Sequence, residues 1–141
     1  MKTTEKEILE KLNSLGKNTL LETLAIEFTA LGDNFVEAKM PVTPRVHQPD
    51  GVLHGGATVA LAETVGSVAS AYLLDREKFF VRGIEINANH VRSISKGFVY
   101  ARAEYLHKGK TTQVWDIKIR DEEGNLISAS KLTTISLPRK K

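Results

Sequence analysis

An α+β fold follows from three observations on the sequence. Short alternating apolar runs lie on either side of one long apolar segment, the turns between those runs are short, and only one helix is long enough to cover a sheet. Strands joined by turns of a few residues pair antiparallel, because parallel neighbours need a crossover of a dozen residues or more. With one long helix, apolar nearly all round, the sheet must curl about that helix or be covered by another subunit. A chain of 141 residues with 41% apolar and 26% charged residues suits a single domain spanning 1–141.

The elements follow in order. Ile8, Leu9, Leu12 and Leu15 recur at helical spacing behind Thr3 and Thr4, and Gly16 closes this first amphipathic helix. Residues 24–31 are predicted as a strand, with Gly32, Asp33 and Asn34 as its turn. Val36, Ala38, Met40 and Val42 alternate on a second strand that stops around Pro41 and Pro44. A loop over 43–53 leads into the apolar helix, from Gly55 to about Leu74. Four strands close the chain at 79–92, 98–107, 111–120 and 125–137, with Lys108, Gly109 and Lys110 in one of the turns between them.

Composition narrows the function. The chain has no cysteine, which removes disulfides, thiolate metal sites and cysteine nucleophiles together and suits a reducing cytoplasm. The N-terminus is polar, without the apolar stretch of a signal peptide. A net charge of +3 with dispersed basic residues lacks the clustered footprint of a nucleic-acid binder, while it suits a polyanionic small ligand. Residues 52–74 are apolar enough to resemble a membrane span, but His54, the Gly55–Gly56 pair and a central Glu63 argue for a buried helix of a globular protein.

The chemistry concentrates between His47 and Ser70. Glu63 has only small or apolar helical neighbours and no cation three or four residues away, so an uncompensated carboxylate is expected on this helix. Either it serves as a general base or nucleophile, or a distant cation such as Arg82 or Arg92 neutralises it. Ser67 and Ser70 share its stripe. His54, Gly55 and Gly56 precede the helix, where glycine lets a ligand approach backbone N–H groups at the positive end of the dipole. Such an end can stabilise the oxyanion of acyl transfer, although a glycine pair can equally serve tight packing. Gln48 and His54 add an amide donor and an imidazole. A metal site from His47, His54 and Glu63 matches no ligand spacing, so none is expected.

Two motifs carry a resemblance. The run His47, Gln48, Pro49, Asp50, Gly51, Val52, Leu53, His54, Gly55, Gly56 and Ala57, with Leu61 to Ser67, is the first. The second is Gly83, Ile84, Glu85, Ile86, Asn87, Ala88, Asn89, His90, Val91 and Arg92. Together they closely resemble the hotdog-fold acyl-CoA thioesterases of the PaaI-like group, in particular the 1,4-dihydroxy-2-naphthoyl-CoA and 4-hydroxybenzoyl-CoA thioesterases.

That resemblance implies a curved antiparallel sheet wrapped around one long central helix, and protomers paired edge to edge into dimers and then tetramers. It implies hydrolysis of an aryl- or medium acyl-CoA, 1,4-dihydroxy-2-naphthoyl-CoA of menaquinone biosynthesis being one candidate, without metal or organic cofactor. By position, Gln48 and His54 would orient the thioester, the Gly55 N–H would polarise its carbonyl, and Glu63 from the partner subunit would be nucleophile or general base. Ser67 would hold the hydrolytic water. His90, Arg92, Lys108, Gly109 and Lys110 would contact the nucleotide phosphates. Asp50 departs from the apolar or aromatic residue common among relatives and bears on acyl specificity.

Two other classes compete. Hotdog dehydratases acting on hydroxyacyl thioesters pair a helix carboxylate with a His in a different loop motif that is absent here. A non-catalytic acyl-CoA binding module would have no need of Glu63, Gln48 and Gly55 together.

Overall fold

The computed structural model describes residues 3–140; Met1, Lys2 and Lys141, the last of the basic tail, lie outside them. Helix α1 (Glu5–Leu15) begins where Thr4 accepts the Glu7 N–H at 3.2 Å and ends at Gly16. None of its residues is buried; Ile8, Leu9 and Leu12 pack half-buried against the core edge. The predicted strand 24–31 needs correction at its start. Residues Leu20–Thr23 form a short helix, α2, capped by Thr19, and strand β1 covers only Glu27–Leu31. The reversal between them is a Schellman end: Ala25 takes a left-handed φ of 55°, its N–H donates to the Glu22 carbonyl, and the Ile26 N–H donates to the Leu21 carbonyl at 2.8 Å. Leu24, Ala25 and Ile26 extend the apolar run of β1 in sequence while serving this turn.

Strand β2 (Phe35–Pro41) alternates as predicted, with Val36, Ala38 and Met40 buried. A single 3-10 turn at Pro44–Val46 precedes helix α3 (Gly55–Leu73). Strands β3 (Phe79–His90), β4 (Phe98–Lys108), β5 (Thr112–Asp121) and β6 (Leu126–Pro138) lie within two residues of the expected bounds. All six strands join in one antiparallel sheet of order β1-β2-β4-β5-β6-β3. The sheet curls about α3, the architecture of a hotdog fold.

Helix α3 is not apolar all round in its setting. Thr58, Leu61, Ala62, Val65, Gly66, Ala69 and Ser70 are buried against the concave face of the sheet, and the opposite side, carrying Glu63 and Ser67, is half-buried. Small residues set the helix close to the strands. A Cβ on Gly66 would stand 2.5 Å from Leu132 Cδ2 and 2.9 Å from Ile117 Cδ1, both fully buried side chains with no room to yield. Several polar groups under the helix are linked in a chain, although Ser130 Oγ has no hydrogen-bond partner among the described residues. The Trp115 indole N–H donates to Ser70, Ser70 shares a 2.6 Å hydrogen bond with Thr134, Thr134 donates to Gln113 Oε1, and Gln113 Nε2 donates to Ser136.

Strand β3 occupies one edge of the sheet and pairs only with β6, so its other side is open over twelve residues. It carries a bulge between Gly83 and Glu85, and Ile84 there is 58% exposed. A long open edge with exposed apolar side chains is a template for pairing with another strand.

The contact at Gly66 yields a first test. Gly66→Val should lower stability by about 1–3 kcal/mol through overpacking, seen as an earlier denaturation midpoint with unchanged slope. A variant as stable as the parent would contradict the close helix–sheet approach.

Candidate active site

The loop before α3 is held by its own backbone. The Gln48 N–H donates to the Val52 carbonyl at 2.8 Å, the His54 N–H to the Val46 carbonyl at 2.8 Å, and the Leu53 N–H to the Ile94 carbonyl at 2.8 Å. The Gln48 side-chain oxygen accepts the Asp50 N–H, and its Nε2 hydrogens have no acceptor among the described residues. Asp50 itself is exposed.

His54 is the N-cap of α3. Its Nδ1 accepts the Gly56 N–H at 2.7 Å, so the ring serves the role a Ser or Asp usually plays, and its orientation is fixed by that bond. The cap consumes one of the four orphan donors of the helix start. The Gly55 N–H has no protein acceptor among the described residues and remains available at the positive end of the dipole. Gly55 is required for a second reason: a Cβ there would stand 3.0 Å from His90 Nε2, whose imidazole packs across the helix start.

His90 reaches that place from the end of β3, where its register partner is Ser128. Nδ1 of His90 lies 2.9 Å from Ser128 Oγ, and Ser128 Oγ donates onward to the Asn89 carbonyl at 3.3 Å. The bond to Ser128 fixes the imidazole orientation and leaves Nε2 facing Gly55. Ser128, which holds the His90 ring, is a residue that sequence reasoning missed; only the β3–β6 register reveals it.

Gln48, Gly55, His90 and Arg92 line one cleft of about 310 Å³. Arg92 also lies near the β5–β6 turn. There the Asn125 side-chain hydrogen bond, with the backbone N–H groups of Asn125 and Glu123, holds the Asp121 carboxyl below its ordinary value, and the Arg92 charge adds to that effect.

Glu63 and Ser67 are not in that cleft. Glu63 lies eight residues into α3 from Gly55, about 12 Å along the axis at 1.5 Å per residue. It is half-buried, and among the described residues its carboxylate has no ion pair or hydrogen bond; neither Arg82 nor Arg92 neutralises it. Its nearest constraint is Gly83 beside the β3 bulge, where a Cβ would stand 3.3 Å from Glu63 Oε2. A glycine inside a strand often marks such a close approach, so Gly83 was a readable signal. Ser67, one turn further on, faces the start of β3. Ser70, expected on the same stripe, instead points into the sheet to Trp115 and Thr134.

Lys108, Gly109 and Lys110 form the β4–β5 turn, at the opposite end of the sheet from His90 and Arg92. Gln113 Nε2 steadies the turn by donating to the Gly109 carbonyl at 3.3 Å. His47, His54 and Glu63 do not converge, and among the described residues no three His, Asp or Glu side chains form a metal-binding group.

An antiparallel sheet curled around one long helix is matched by known proteins. Residues 50–128 match the thioesterase superfamily. The chain belongs to that superfamily. It is 50% identical over 129 residues to the 1,4-dihydroxy-2-naphthoyl-CoA hydrolase of Escherichia coli (strain K12), covering 92% of this chain and 94% of the relative. It is 50% identical over 126 residues to the proofreading thioesterase EntH of Cronobacter turicensis, covering 89% and 91%. A mutant thioesterase from Pseudomonas aeruginosa superposes with a TM-score of 0.91 at 43% identity, over 93% of this chain and 94% of that one. A thioesterase from Haemophilus influenzae gives a TM-score of 0.90 at 46% identity, over 98% and 93%. The hotdog fold and thioester hydrolase class expected from the sequence therefore hold. No helix among the described residues is long and apolar enough to cross a membrane.

His54 acts on the helix through its cap, which is measurable. His54→Ala should cost about 0.5–2 kcal/mol of stability by exposing the Gly56 N–H, and His54→Asn should recover most of it. Equal losses in both variants, read from thermal midpoints, would contradict the capping role.

Proposed function

We propose that this thioester hydrolase cleaves an aryl- or medium acyl-CoA to the free acid and CoA, at a site assembled from two copies of the chain. The observation that carries the reading is the separation of its two halves. A thioester carbonyl is only one bond long, yet the Gly55 N–H and the Glu63 carboxylate lie about 12 Å apart along one helix. A second copy paired along the open edge of β3, antiparallel about a two-fold axis, brings the start of one β3 beside the end of the other. Glu63, beside Gly83 near the start, then meets the partner's Gly55 and His90 near the end.

In this scheme the Gly55 N–H holds the thioester oxygen, and Gln48 Nε2 and His54 orient the group. Glu63 takes a proton from a water held by Ser67, the hydroxide attacks the carbonyl carbon, and the tetrahedral oxyanion gathers charge at the helix start. Collapse breaks the carbon–sulfur bond and releases CoA thiolate. Direct attack by Glu63, with water hydrolysing the resulting anhydride, uses the same residue at nearly the same place. His90, Arg92, Lys108, Gly109 and Lys110 are the proposed contacts for the nucleotide phosphates. The two-fold arrangement also supports this grouping, because it carries His90 and Arg92 of one copy toward the basic turn end of the other.

The likeness to a 1,4-dihydroxy-2-naphthoyl-CoA hydrolase supports an aromatic acyl group. We place the dimer within a tetramer, and the cysteine-free enzyme in the cytoplasm.

Glu63→Gln tests the assignment on benzoyl-CoA, with released CoA trapped by a thiol reagent. Removing the charge should lower kcat by about 100-fold or more with KM little changed. Because no cation among the described residues pairs with Glu63, the melting temperature should stay close to the parent's. A variant that melts far lower yet keeps its kcat would overturn the catalytic role.

A further inference from the structure

The loop that carries Gln48 is tied to the opposite wall of its cleft by a side chain to which the hydrolytic scheme gives no part. Residues 46–54 double back as a short antiparallel ribbon. The His54 N–H donates to the Val46 carbonyl, the Gln48 N–H to the Val52 carbonyl, and His47 stands directly opposite Leu53. Gly51, with a φ of 81°, lies at its tip. Gln48, Val52 and Leu53 line one side of the cleft of about 310 Å³ at the helix start, and His90 to Ser93 line the other.

Two bonds join the ribbon to the β3–β4 connection. On one arm the Leu53 N–H donates to the Ile94 carbonyl at 2.8 Å, and on the other His47 Nε2 lies 2.9 Å from the Ser95 carbonyl oxygen. A carbonyl oxygen only accepts, so the imidazole is the donor. The connection is itself tied to the sheet, where the Val91 N–H donates to the Ile127 carbonyl at 2.9 Å. The two anchors thus start from opposed residues of the ribbon and end on adjacent residues of a fixed segment.

A two-stranded ribbon has little rigidity of its own. Held at Leu53 alone, it can turn about that one bond and carry Gln48 with it; a second bond on the other arm stops the turn. The bond between the Gln48 side-chain oxygen and the Asp50 N–H cannot do so, because it lies wholly within the ribbon. In the proposed chemistry Gln48 Nε2 must meet a thioester whose oxygen rests on the Gly55 N–H, and Gly55 moves only with α3. A displacement of about 1 Å between such groups can cost on the order of 100-fold in rate. The His47 bond is open to water, so it weighs little on overall stability and chiefly decides where Gln48 sits.

We propose that His47 is a positioning residue for the thioester reaction, holding Gln48 at a fixed place relative to Gly55 through its bond to the Ser95 carbonyl. This rests on the thioesterase reading above.

A double-mutant cycle on the full-length protein tests it, with benzoyl-CoA and octanoyl-CoA as substrates. His47→Gln keeps an N–H donor the same number of bonds from the backbone, whereas His47→Phe keeps a ring and loses the donor. His47→Phe should lower kcat about tenfold with KM and melting temperature close to the parent's, and His47→Gln should restore kcat to within about twofold. On the residual turnover of Gln48→Ala, adding His47→Phe should change kcat by less than about twofold, because the group it positions is already gone. If His47→Phe melts well below the parent, His47→Ala takes its place in the cycle and is read in the same way. An unchanged kcat in the variant without the donor, a loss of the same factor in the Gln48→Ala background, or a His47→Gln variant as slow as His47→Phe overturns the positioning role while leaving the hydrolase intact. If the unaltered protein hydrolyses neither thioester, the thioesterase reading fails and this role fails with it.

Discussion

The rigid rise of α3 is the constraint on which the rest of the molecule depends. A helix advances 1.5 Å per residue whatever its sequence, so a donor at its first residue and a carboxylate at its ninth cannot meet on one carbonyl group. The chain could have placed its base elsewhere; instead it places Glu63 beside an open edge strand. Gly83 removes the side chain that would crowd that carboxylate, and the neighbouring bulge turns Ile84 outward. Gly55 similarly clears the way for His90 at the other end of β3. On the proposed function, the two ends of this strand serve the two halves of one site, an arrangement that requires two strands running antiparallel side by side.

Holding the helix in place takes a core with little slack. Gly66 lets α3 sit against Ile117 and Leu132, while Trp115, fully buried, gives its N–H to Ser70 and its ring edge-on to Tyr105 at 6.0 Å. Buried hydroxyls at Ser70, Thr134 and Ser136, linked through Gln113, extend the fixed region to the basic β4–β5 turn through the Gly109 carbonyl. A network with every member satisfied specifies one register of helix on sheet, because a slip would strand several polar groups in the interior. The face of α3 to which we assign the chemistry and the face used for packing thus differ by which polar residues are tied down. Ser70 is committed to the core, and Glu63 and Ser67 are left free.

Much of this was legible in the sequence. The alternation of Val36, Ala38 and Met40, the turn residues between the last four strands and the long apolar segment identified every strand from β2 onward, because burial on one face of a sheet leaves a period of two. Glu63 stood out since its helical neighbours offer no cation, and the structure leaves it unpaired. Short-range signals failed where tertiary packing overrode them. Leu24, Ala25 and Ile26 look like the start of a strand, and the turn they form instead depends on Ala25 adopting a positive φ that alanine disfavours. The partner of His90 could not be found either, since Ser128 is 38 residues away and meets it only through strand register.

The central claim, a site shared between two copies, is tested most directly by mixing two inactive variants. Glu63→Gln lacks the base and Gln48→Ala lacks the orienting amide, and the two are unfolded together and refolded at equal concentration. If the site joins Glu63 of one copy to Gln48 of the other, half of the dimers formed are mixed and each keeps one intact site, so about a quarter of the parent activity should return. Activity no higher than the sum of the two variants, with mixed dimers demonstrably present, would show that both residues act within one chain and would contradict this account.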